Sequence, residues 1–290
     1  MDIDNTKRKT YALCPRKFLW EHIKNLRPRY GSTALRYGLT WHEIMEHYYG
    51  TIKDFGWSEK SKAITNGALA GKAAWDKESK DRQFYDDYRT LENCLSAFMS
   101  HVVNYQDDEQ FLEVLAVEET FRIEIEKDIF FTGKIDGKVR LNDAVWLMEH
   151  KTTGMPIDKQ LKSLQRDPQV IGYTFAGMRD SHIEGILIPM HHLSATKSKV
   201  TGLYGKPRIE FRRSPQIFTQ GDIDSWLDSM LWTANQLQKS METDYWPMQL
   251  DSCYHFGNCT YTSLCEQNTS IKNTNTSNYI EVKHWNVLES

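Results

Sequence analysis

Two carboxylates and one lysine between residues 133 and 151 have the types and spacing of a metal-assisted hydrolytic site. Asp136 follows Gly133-Lys-Ile, and Glu149-His-Lys151 comes at the end of a short apolar run. Side chains alternate along a strand, so we expect Glu149 and Lys151 on one face. Two converging carboxylates repel each other unless a divalent cation lies between them, and Mg²⁺ or Mn²⁺ suits such an oxygen-rich site. A neighbouring lysine could then orient or deprotonate a water, or stabilise a phosphate oxyanion.

Two other residue pairs could support such a site. Gln169 and Tyr173 are four residues apart in a predicted helix, so they share one face and could reach a nucleic-acid backbone or the lysine. His42 lies in another predicted helix, one turn before Glu46, and is a candidate metal ligand with Glu46 or Glu43 as its supporting partner. Each of these residues could equally be an ordinary surface or core residue of its helix. They therefore support a catalytic site only in combination.

Near the C-terminus, three cysteines occur at even intervals: Cys253, Cys259 and Cys265. In a reducing compartment, so tight a group favours metal binding over disulfides. Cys14 is the first candidate for a fourth ligand and His255 is a substitute, whereas Cys94 falls on the apolar stripe of a predicted helix. Four thiolates can hold a zinc ion or an iron–sulfur cluster, and the wide gaps favour the larger cluster.

The elements that must position these residues are a mixture of helices and strands. Apolar periodicity predicts helices over 32–49, 86–105, 157–178 and 222–241. The third is expected to break at Asp167-Pro168. Alternating or continuous apolar residues predict strands over 115–125, 129–141, 144–148, 185–190 and 208–212. A turn at Asn142-Asp143 could bring Asp136 beside Glu149. The expected fold is a mixed α/β core with a helical N-terminal part.

Composition excludes several classes of protein. A hydrophobic fraction of 40% is enough for a folded core and excludes wholesale disorder. The chain has 36 basic and 39 acidic residues, so it is not a polycation and would need a local basic groove to bind nucleic acid. Because no apolar run approaches the ~20 residues of a membrane helix, and no secretory signal is visible, we expect a cytoplasmic protein without membrane contact.

The same patterns predict one domain over residues 1–265. It would comprise a helical part (1–110), an α/β core (111–215) and a segment with a helix and the cysteine cluster (216–265). Residues 266–278 are polar and of low complexity, so we expect 266–290 to form a flexible tail.

Taken in order, these motifs resemble the PD-(D/E)XK superfamily, and within it the RecB-like nucleases with an iron–sulfur staple. That group includes the AddB nuclease domain and the CRISPR-associated four-cysteine exonucleases. The resemblance covers residues 9–266 and rests on Tyr11-x-x-Cys14-Pro-Arg-Lys, His42, Gly133-x-x-Asp136, Glu149-x-Lys151-Thr152, Gln169-x-x-x-Tyr173 and the three later cysteines. Each motif is weak alone, whereas their order and spacing are fairly specific.

The resemblance implies a restriction-endonuclease-like mixed sheet flanked by helices, and a role for each motif. The divalent metal ligands would be His42, Asp136, Glu149 and the main-chain carbonyl of His150. Lys151 would be catalytic, with Gln169 and Tyr173 supporting it and the DNA. A 4Fe–4S cluster would be held by Cys14, Cys253, Cys259 and Cys265. Arg16 and Lys17 would lie near DNA phosphates. In the resembling group the first two C-terminal cysteines are closer together, so structural Zn²⁺ stays open as the alternative.

The resulting functional expectation is a metal-dependent DNA exonuclease that prefers single-stranded DNA or DNA ends. Recombination, repair, and phage or CRISPR DNA processing are the candidate pathways, with recombination or single-strand-binding proteins as candidate partners. The sequence contains no phosphate-binding helicase motif, so a stand-alone nuclease or a subunit is expected. The alternative is a non-catalytic, metal-stapled DNA-binding or assembly subunit.

Overall fold

The computed structural model describes residues 1–254, 257–267, 269–283 and 288. The α-helices are α1 (Asn5–Leu13), α2 (Pro15–Phe18), α3 (Thr33–Phe55), α4 (Lys60–Asp81), α5 (Leu91–Asn104), α6 (Asp108–Phe111), α7 (Ile157–Leu164), α8 (Pro168–Asp180), α9 (Gln220–Thr243) and α10 (Thr262–Cys265). The strands are β1 (Asp2–Ile3), β2 (Leu26–Pro28), β3 (Leu112–Glu126), β4 (Ile129–Leu141), β5 (Ala144–Met148), β6 (Lys151–Thr153), β7 (Gly185–Ser194), β8 (Arg208–Gln216) and β9 (Tyr279–Glu281).

Seven of the described strands form one mixed sheet. Its order is β1-β4-β5-β7-β6, with β3 beside β4 and β8 beside β7. β5 and β6 both run parallel to β7, whereas β4 is antiparallel to β5 and β8 is antiparallel to β7. This arrangement confirms the mixed α/β core with flanking helices that the sequence predicts.

The strands β5 and β6 are two segments of one interrupted strand, and both pair with β7. Met148 is opposite Leu187 and Lys151 is opposite Met190, so the register continues across the break. The two residues in the break are Glu149 and His150, and the Glu149 N–H still donates to the Leu187 carbonyl at 3.0 Å. The residues of β7 opposite the break are Ile188 and Pro189, and the ladder is interrupted there because Pro189 has no N–H to donate to the Glu149 carbonyl.

A two-residue turn connects β4 to β5. Asn142 and Asp143 have φ angles of 49° and 67°, the left-handed values of a tight hairpin turn, and Leu141 pairs with Ala144 across it. Because a turn of this length fixes the register, the ladder runs back to Gly137 opposite Met148. The next residue of β4 toward its start is Asp136, which is thereby brought level with the break.

Helix α3 packs closely against α4. Ser32 caps its start by accepting a hydrogen bond from the Leu35 N–H at 3.3 Å. A Cβ atom on Gly71 would lie 2.4 Å from Ile44 Cγ1, and one on Gly67 would lie 2.9 Å from the Ile44 carbonyl oxygen. Glycine at both positions therefore allows α4 to approach closely the part of α3 that contains His42.

The chain divides into two compact units. The terminal unit contains Met1–Arg29, Thr120–Gly133 and Asp224–Ser290, and the central unit contains Tyr30–Glu119 and Lys134–Ile223. Along the described chain, no helix combines the length and apolarity that crossing a bilayer requires.

Part of the tail that was expected to be flexible, 266–290, forms a strand in the terminal unit. β9 pairs antiparallel with β2, from Leu26 opposite Glu281 to Pro28 opposite Tyr279. The Tyr279 ring is buried and stacks on Tyr261 at a centroid distance of 5.6 Å. Burial of this one aromatic side chain anchors a segment whose polar composition points to disorder.

Candidate active site

Asp136 and the residues in the strand break lie side by side in the central unit. The His150 N–H donates to Asp136 Oδ2 at 2.7 Å, so a carboxylate oxygen takes the place of a ladder carbonyl. This bond fixes the Asp136 carboxylate at the strand break, beside Glu149. The hairpin at Asn142-Asp143 thus produces the proximity that the sequence predicts.

His42 joins the same group from α3. Its Nδ1 lies 3.2 Å from Asp136 Oδ2. Burial lowers the pKa of His42, but the Asp136 carboxylate outweighs burial and the pKa rises to about 9. In return, His42 holds the pKa of Asp136 below its ordinary value despite burial of that carboxyl group. A charged imidazole therefore neutralises the carboxylate in the absence of a metal ion.

Glu149, Lys151 and Gln169 form a closed hydrogen-bonded triangle. The Lys151 ammonium donates to Glu149 Oε1 at 2.8 Å and to Gln169 Oε1 at 2.6 Å. The Gln169 side-chain amide donates to the same Glu149 oxygen at 2.8 Å. Gln169 thus uses both ends of its amide group, and it fixes the lysine and the carboxylate relative to each other.

The start of α8 positions Gln169. Asp167 caps the helix by accepting hydrogen bonds from the N–H groups of Gln169 at 2.8 Å and Val170 at 3.4 Å, and Pro168 occupies the first helical position. The predicted break at Asp167-Pro168 is confirmed. Because α8 begins there, its first turn lies beside Glu149 and Lys151. Tyr173 lies one turn farther along α8 and is buried, so its supporting role stays a prediction.

Burial and neighbouring charges give these groups unusual proton affinities. Burial, followed by the Asp136 carboxylate, raises the pKa of Glu149. Burial alone would lower the pKa of Lys151, but Glu149 and then Asp167 raise it above its ordinary value. The lysine is therefore a cation at neutral pH, which suits the stabilisation of a phosphate oxyanion better than the removal of a proton.

One oxygen of Glu149 is suited to bind a divalent cation. The residue is only 2% exposed, and Oε2 has no hydrogen-bond partner among the described residues, whereas Oε1 has two. A buried carboxylate oxygen without a partner is costly, and a divalent ion would satisfy it. The donor set of carboxylates with one imidazole also suits Mg²⁺ or Mn²⁺.

Glu118 is a candidate site residue that sequence reasoning missed. Its carboxylate, His42 and Asp136 offer ligand atoms that all lie within 4.8 Å of one another. Glu118 also forms an ion pair with Lys134 at 2.8 Å. Burial, and then the negative charge of Asp136, raise the pKa of Glu118 to about 7. Its φ of 53° is left-handed, which is unusual within a strand and typical of functional sites. The adjacent carboxylates Glu118 and Glu119, where β3 ought to alternate, are the signal that could have identified it.

His150 contributes to the site through its backbone. Its ring is buried and stacks on Tyr49 at a centroid distance of 5.6 Å, and neither ring nitrogen has a hydrogen-bond partner in the described part of the chain. Burial lowers the pKa of this imidazole to about 4. The ring is therefore a neutral core group, which leaves the predicted metal contact to the main-chain carbonyl.

The four predicted cluster ligands lie in the terminal unit. Cys14 is buried, and its Sγ accepts from the Gln249 N–H at 3.4 Å. The Cys259 N–H donates to the Cys253 carbonyl at 2.7 Å, and Cys265 ends the short helix α10. Burial and the neighbouring thiols of Cys259 and Cys14 raise the pKa of Cys253. All four cysteines are free thiols. The substitute ligand His255 lies outside the described residues.

Arg16 and Lys17 have partners within the terminal unit. The Arg16 Nε donates to the Trp246 carbonyl at 2.7 Å, and the Lys17 ammonium lies 3.9 Å from the Glu21 carboxylate. Arg16 therefore connects the helix after Cys14 to the segment that leads to the later cysteines. Contact of either residue with DNA phosphates stays a prediction.

Comparison with known proteins gives the family. No curated protein matches the sequence. A crystal structure described as a "Putative exonuclease" from Eubacterium rectale is 10% identical, with 84% of this chain and 77% of that chain covered, but its TM-score of 0.35 carries no argument. The sequence model of the PD-(D/E)XK nuclease superfamily matches residues 5–266, a range that includes every predicted site residue. The chain therefore belongs to the PD-(D/E)XK nuclease superfamily.

Proposed function

We propose that the protein is a Mg²⁺- or Mn²⁺-dependent deoxyribonuclease that acts as an exonuclease on single-stranded DNA or DNA ends. The observation that carries this proposal is the Glu149 carboxylate. Lys151 and Gln169 fix one of its oxygens, and the other is buried without a partner beside Asp136. An intact metal-ligand set next to a charged lysine favours catalysis over the alternative of a non-catalytic DNA-binding subunit.

The chain's own residues divide the work of phosphodiester hydrolysis. When bound, a divalent cation would polarise the scissile phosphate and lower the pKa of an attached water. His42, Glu118, Asp136 and Glu149 would hold it, together with the His150 carbonyl. Lys151 would present its ammonium to the charge that develops on the phosphate oxygens. Gln169 would keep that ammonium oriented, and Asp136 would be fixed by the His150 N–H.

For the terminal unit, we propose that Cys14, Cys253, Cys259 and Cys265 bind a 4Fe–4S cluster, with structural Zn²⁺ as the alternative. The four cysteines lie in the same compact unit, where Cys14 Sγ accepts from the Gln249 N–H and the Cys259 N–H donates to the Cys253 carbonyl, and this arrangement supports the proposal. Such a site would connect the first helices of the chain to the segment after α9. The ligand binding energy would then contribute to folding of this unit.

Digestion of linear and circular DNA tests the nuclease proposal. We expect linear single-stranded DNA to be degraded in Mn²⁺ or Mg²⁺, circular single-stranded DNA to persist, and chelator to abolish cleavage. Cleavage of the circle would contradict exonuclease action. DNA binding without cleavage of any substrate would contradict the proposed enzyme and favour the non-catalytic subunit. Recombination, repair, and phage or CRISPR DNA processing remain the candidate pathways, and recombination or single-strand-binding proteins the candidate partners.

A further inference from the structure

The ring of His150 lies in the core of the central unit, and Tyr49 of α3 covers one of its faces. The two rings stack at a centroid distance of 5.6 Å and an interplanar angle of 20°. Tyr49 is 1% exposed and His150 is 2% exposed. Neither nitrogen of the His150 ring has a hydrogen-bond partner in the described part of the chain. Packing against neighbouring rings therefore sets the orientation of this imidazole.

The peptide of the same residue supplies two groups to the candidate active site. The His150 N–H donates to Asp136 Oδ2 at 2.7 Å, and the His150 carbonyl is one of the proposed metal ligands. His150 lies in the break between β5 and β6, where no ladder hydrogen bond among the described residues holds its peptide. The position of the peptide therefore depends on the packing of the side chain.

Helix α3 contacts both partners of the His150–Asp136 hydrogen bond. Tyr49 follows His42 by seven residues, about two helical turns, so both lie on one face of α3. The His42 Nδ1 lies 3.2 Å from Asp136 Oδ2, and the Tyr49 ring stacks on the His150 ring. The rise of an α-helix sets the spacing of these two contacts at ~10.5 Å along its axis. One rigid element thus determines where Asp136 and His150 meet.

The hydroxyl group of Tyr49 has a separate partner. It lies 3.2 Å from Nε2 of His101, a residue of α5 that is 2% exposed. The His101 ring packs edge-on against Trp41 and Phe211, at centroid distances of 5.7 and 5.9 Å. Because a buried hydroxyl without a partner is costly, this hydrogen bond contributes to stability. The contact with His150, in contrast, is made by the ring of Tyr49.

We propose that Tyr49 is a positioning residue of the metal site, whose ring fixes the His150 peptide so that its N–H meets Asp136 and its carbonyl faces the cation. The inference rests on the proposed nuclease function and adds to it a residue that does not itself bind the metal. A smaller side chain at position 49 would leave space beside the His150 ring. The peptide could then rotate, and the affinity for the cation would fall because two of its ligands lose their fixed positions.

Calorimetric titration with Mn²⁺, without DNA, tests the positioning role. Tyr49→Leu removes the stacked ring, so it should weaken Mn²⁺ binding about tenfold, as is typical for groups that orient metal ligands. Tyr49→Phe keeps the ring and loses only the hydroxyl that contacts His101. It should therefore lower the Tm and keep the Mn²⁺ affinity of the wild type. A folded Tyr49→Leu protein with wild-type affinity would overturn the proposal.

Phe98→Leu is the matched control. Phe98 is as buried as Tyr49 and belongs to the same hydrophobic core. Within the described chain its ring contacts Tyr48, at a centroid distance of 5.4 Å, rather than His150. The control should lower the Tm about as much as Tyr49→Leu without a change in Mn²⁺ affinity. Equal losses of affinity in the two variants would overturn the proposal, since they would indicate general loosening of the core.

His150→Ala provides a second test, which also applies if Tyr49→Leu does not fold. This variant removes the other ring of the stack and keeps the peptide N–H and carbonyl. It should weaken Mn²⁺ binding about as much as Tyr49→Leu does. The double variant should show no further loss, because both changes act through one contact. Wild-type affinity in folded His150→Ala, or additive losses in the double variant, would contradict the positioning role.

Cleavage of a short oligonucleotide by the same proteins separates this inference from the proposed function. At subsaturating Mn²⁺, the apparent kcat of Tyr49→Leu should fall about tenfold with little change in KM for DNA. Selective loss of Mn²⁺ affinity in Tyr49→Leu, without cleavage by the wild type, would support the positioning role and contradict the nuclease. Cleavage by the wild type, with kcat and Mn²⁺ affinity unchanged in Tyr49→Leu, would overturn the positioning role alone.

Discussion

The Lys151 ammonium lies 2.8 Å from Glu149 Oε1, with a single residue between the two in the sequence. The two side chains share a face because the register with β7 continues across the break between β5 and β6. Gln169 contacts both groups from the first turn of α8. The candidate catalytic lysine and the candidate metal ligand are therefore positioned as one unit, and a change at either should affect the other.

Replacing Gln169 tests this coupling. We expect Gln169→Ala to lower kcat by about 10- to 100-fold with little change in KM, because the lysine and the carboxylate lose their common partner. The matched control is Gln165→Ala, because Gln165 is exposed at the end of α7. Steady-state digestion kinetics on a short oligonucleotide provide the measurement. Equal rates for wild type and Gln169→Ala would contradict a positioning role.

Replacing Glu149 tests the metal site independently of cleavage. Saturating Mn²⁺ should raise the Tm of the wild type, since binding at about 100 times Kd stabilises by about 2.7 kcal/mol. Glu149→Gln should lose most of that increase. Each increase is measured from the metal-free Tm of the same protein, because Glu149→Gln also removes the buried ion pair with Lys151. A metal-induced increase of the same size in both proteins would exclude Glu149 as a ligand.

The site predicts a defined dependence on pH. The pKa of His42 rises from 6.5 to about 9 in the folded protein. This raised pKa stabilises the metal-free protein fully below pH 6.5, and the contribution is lost as the pH rises to about 9. The pKa values of Glu118 and Glu149 are raised from 4.5 to about 7, so their contribution is lost earlier, as the pH rises to about 7.

Over this interval, the metal-free Tm should fall while affinity for Mn²⁺ rises, because the ion must displace the His42 proton. Melting curves and calorimetric titrations from pH 6 to 9 would measure both trends. His42→Gln should remove most of the pH dependence of the Tm. A metal affinity that does not change with pH would be incompatible with His42 as a ligand.

Replacing one cysteine tests the proposed cluster. We expect Cys259→Ser to lose bound metal and to reduce stability and solubility more than it reduces catalysis by the remaining folded protein. Cys94→Ala is the control, since Cys94 is a buried core residue of the central unit. Iron, sulfide and zinc analysis after oxygen-free purification would distinguish a 4Fe–4S cluster from Zn²⁺. A Cys259→Ser protein with normal metal content and Tm would refute the proposal.

The sequence predicts the central hairpin well because the information is local. The two turn residues Asn142 and Asp143 and the alternation of the flanking strands define a register, and that register brings Asp136 to Glu149. The break before Pro168 is similarly local, and it places Gln169 at the start of α8.

Other features depend on information that side-chain patterns lack. Glu118 enters the site through a left-handed backbone conformation inside β3, where alternation alone predicts a solvent-facing carboxylate. The strand around Tyr279 depends on burial of one ring within a polar segment, and α4 was not predicted because its alanines and glycines give little apolar periodicity.

The most direct test of the central claim is a paired digestion by wild type and Lys151→Ala. Both proteins, purified without oxygen and matched in Tm and metal content, would be given end-labelled single- and double-stranded DNA with Mn²⁺, Mg²⁺ or chelator. We predict metal-dependent shortening of the DNA by the wild type, with loss of at least about 100-fold in rate in the variant. Equal cleavage by the two proteins, or none by either beside an active control nuclease, would contradict a nuclease site built around Lys151.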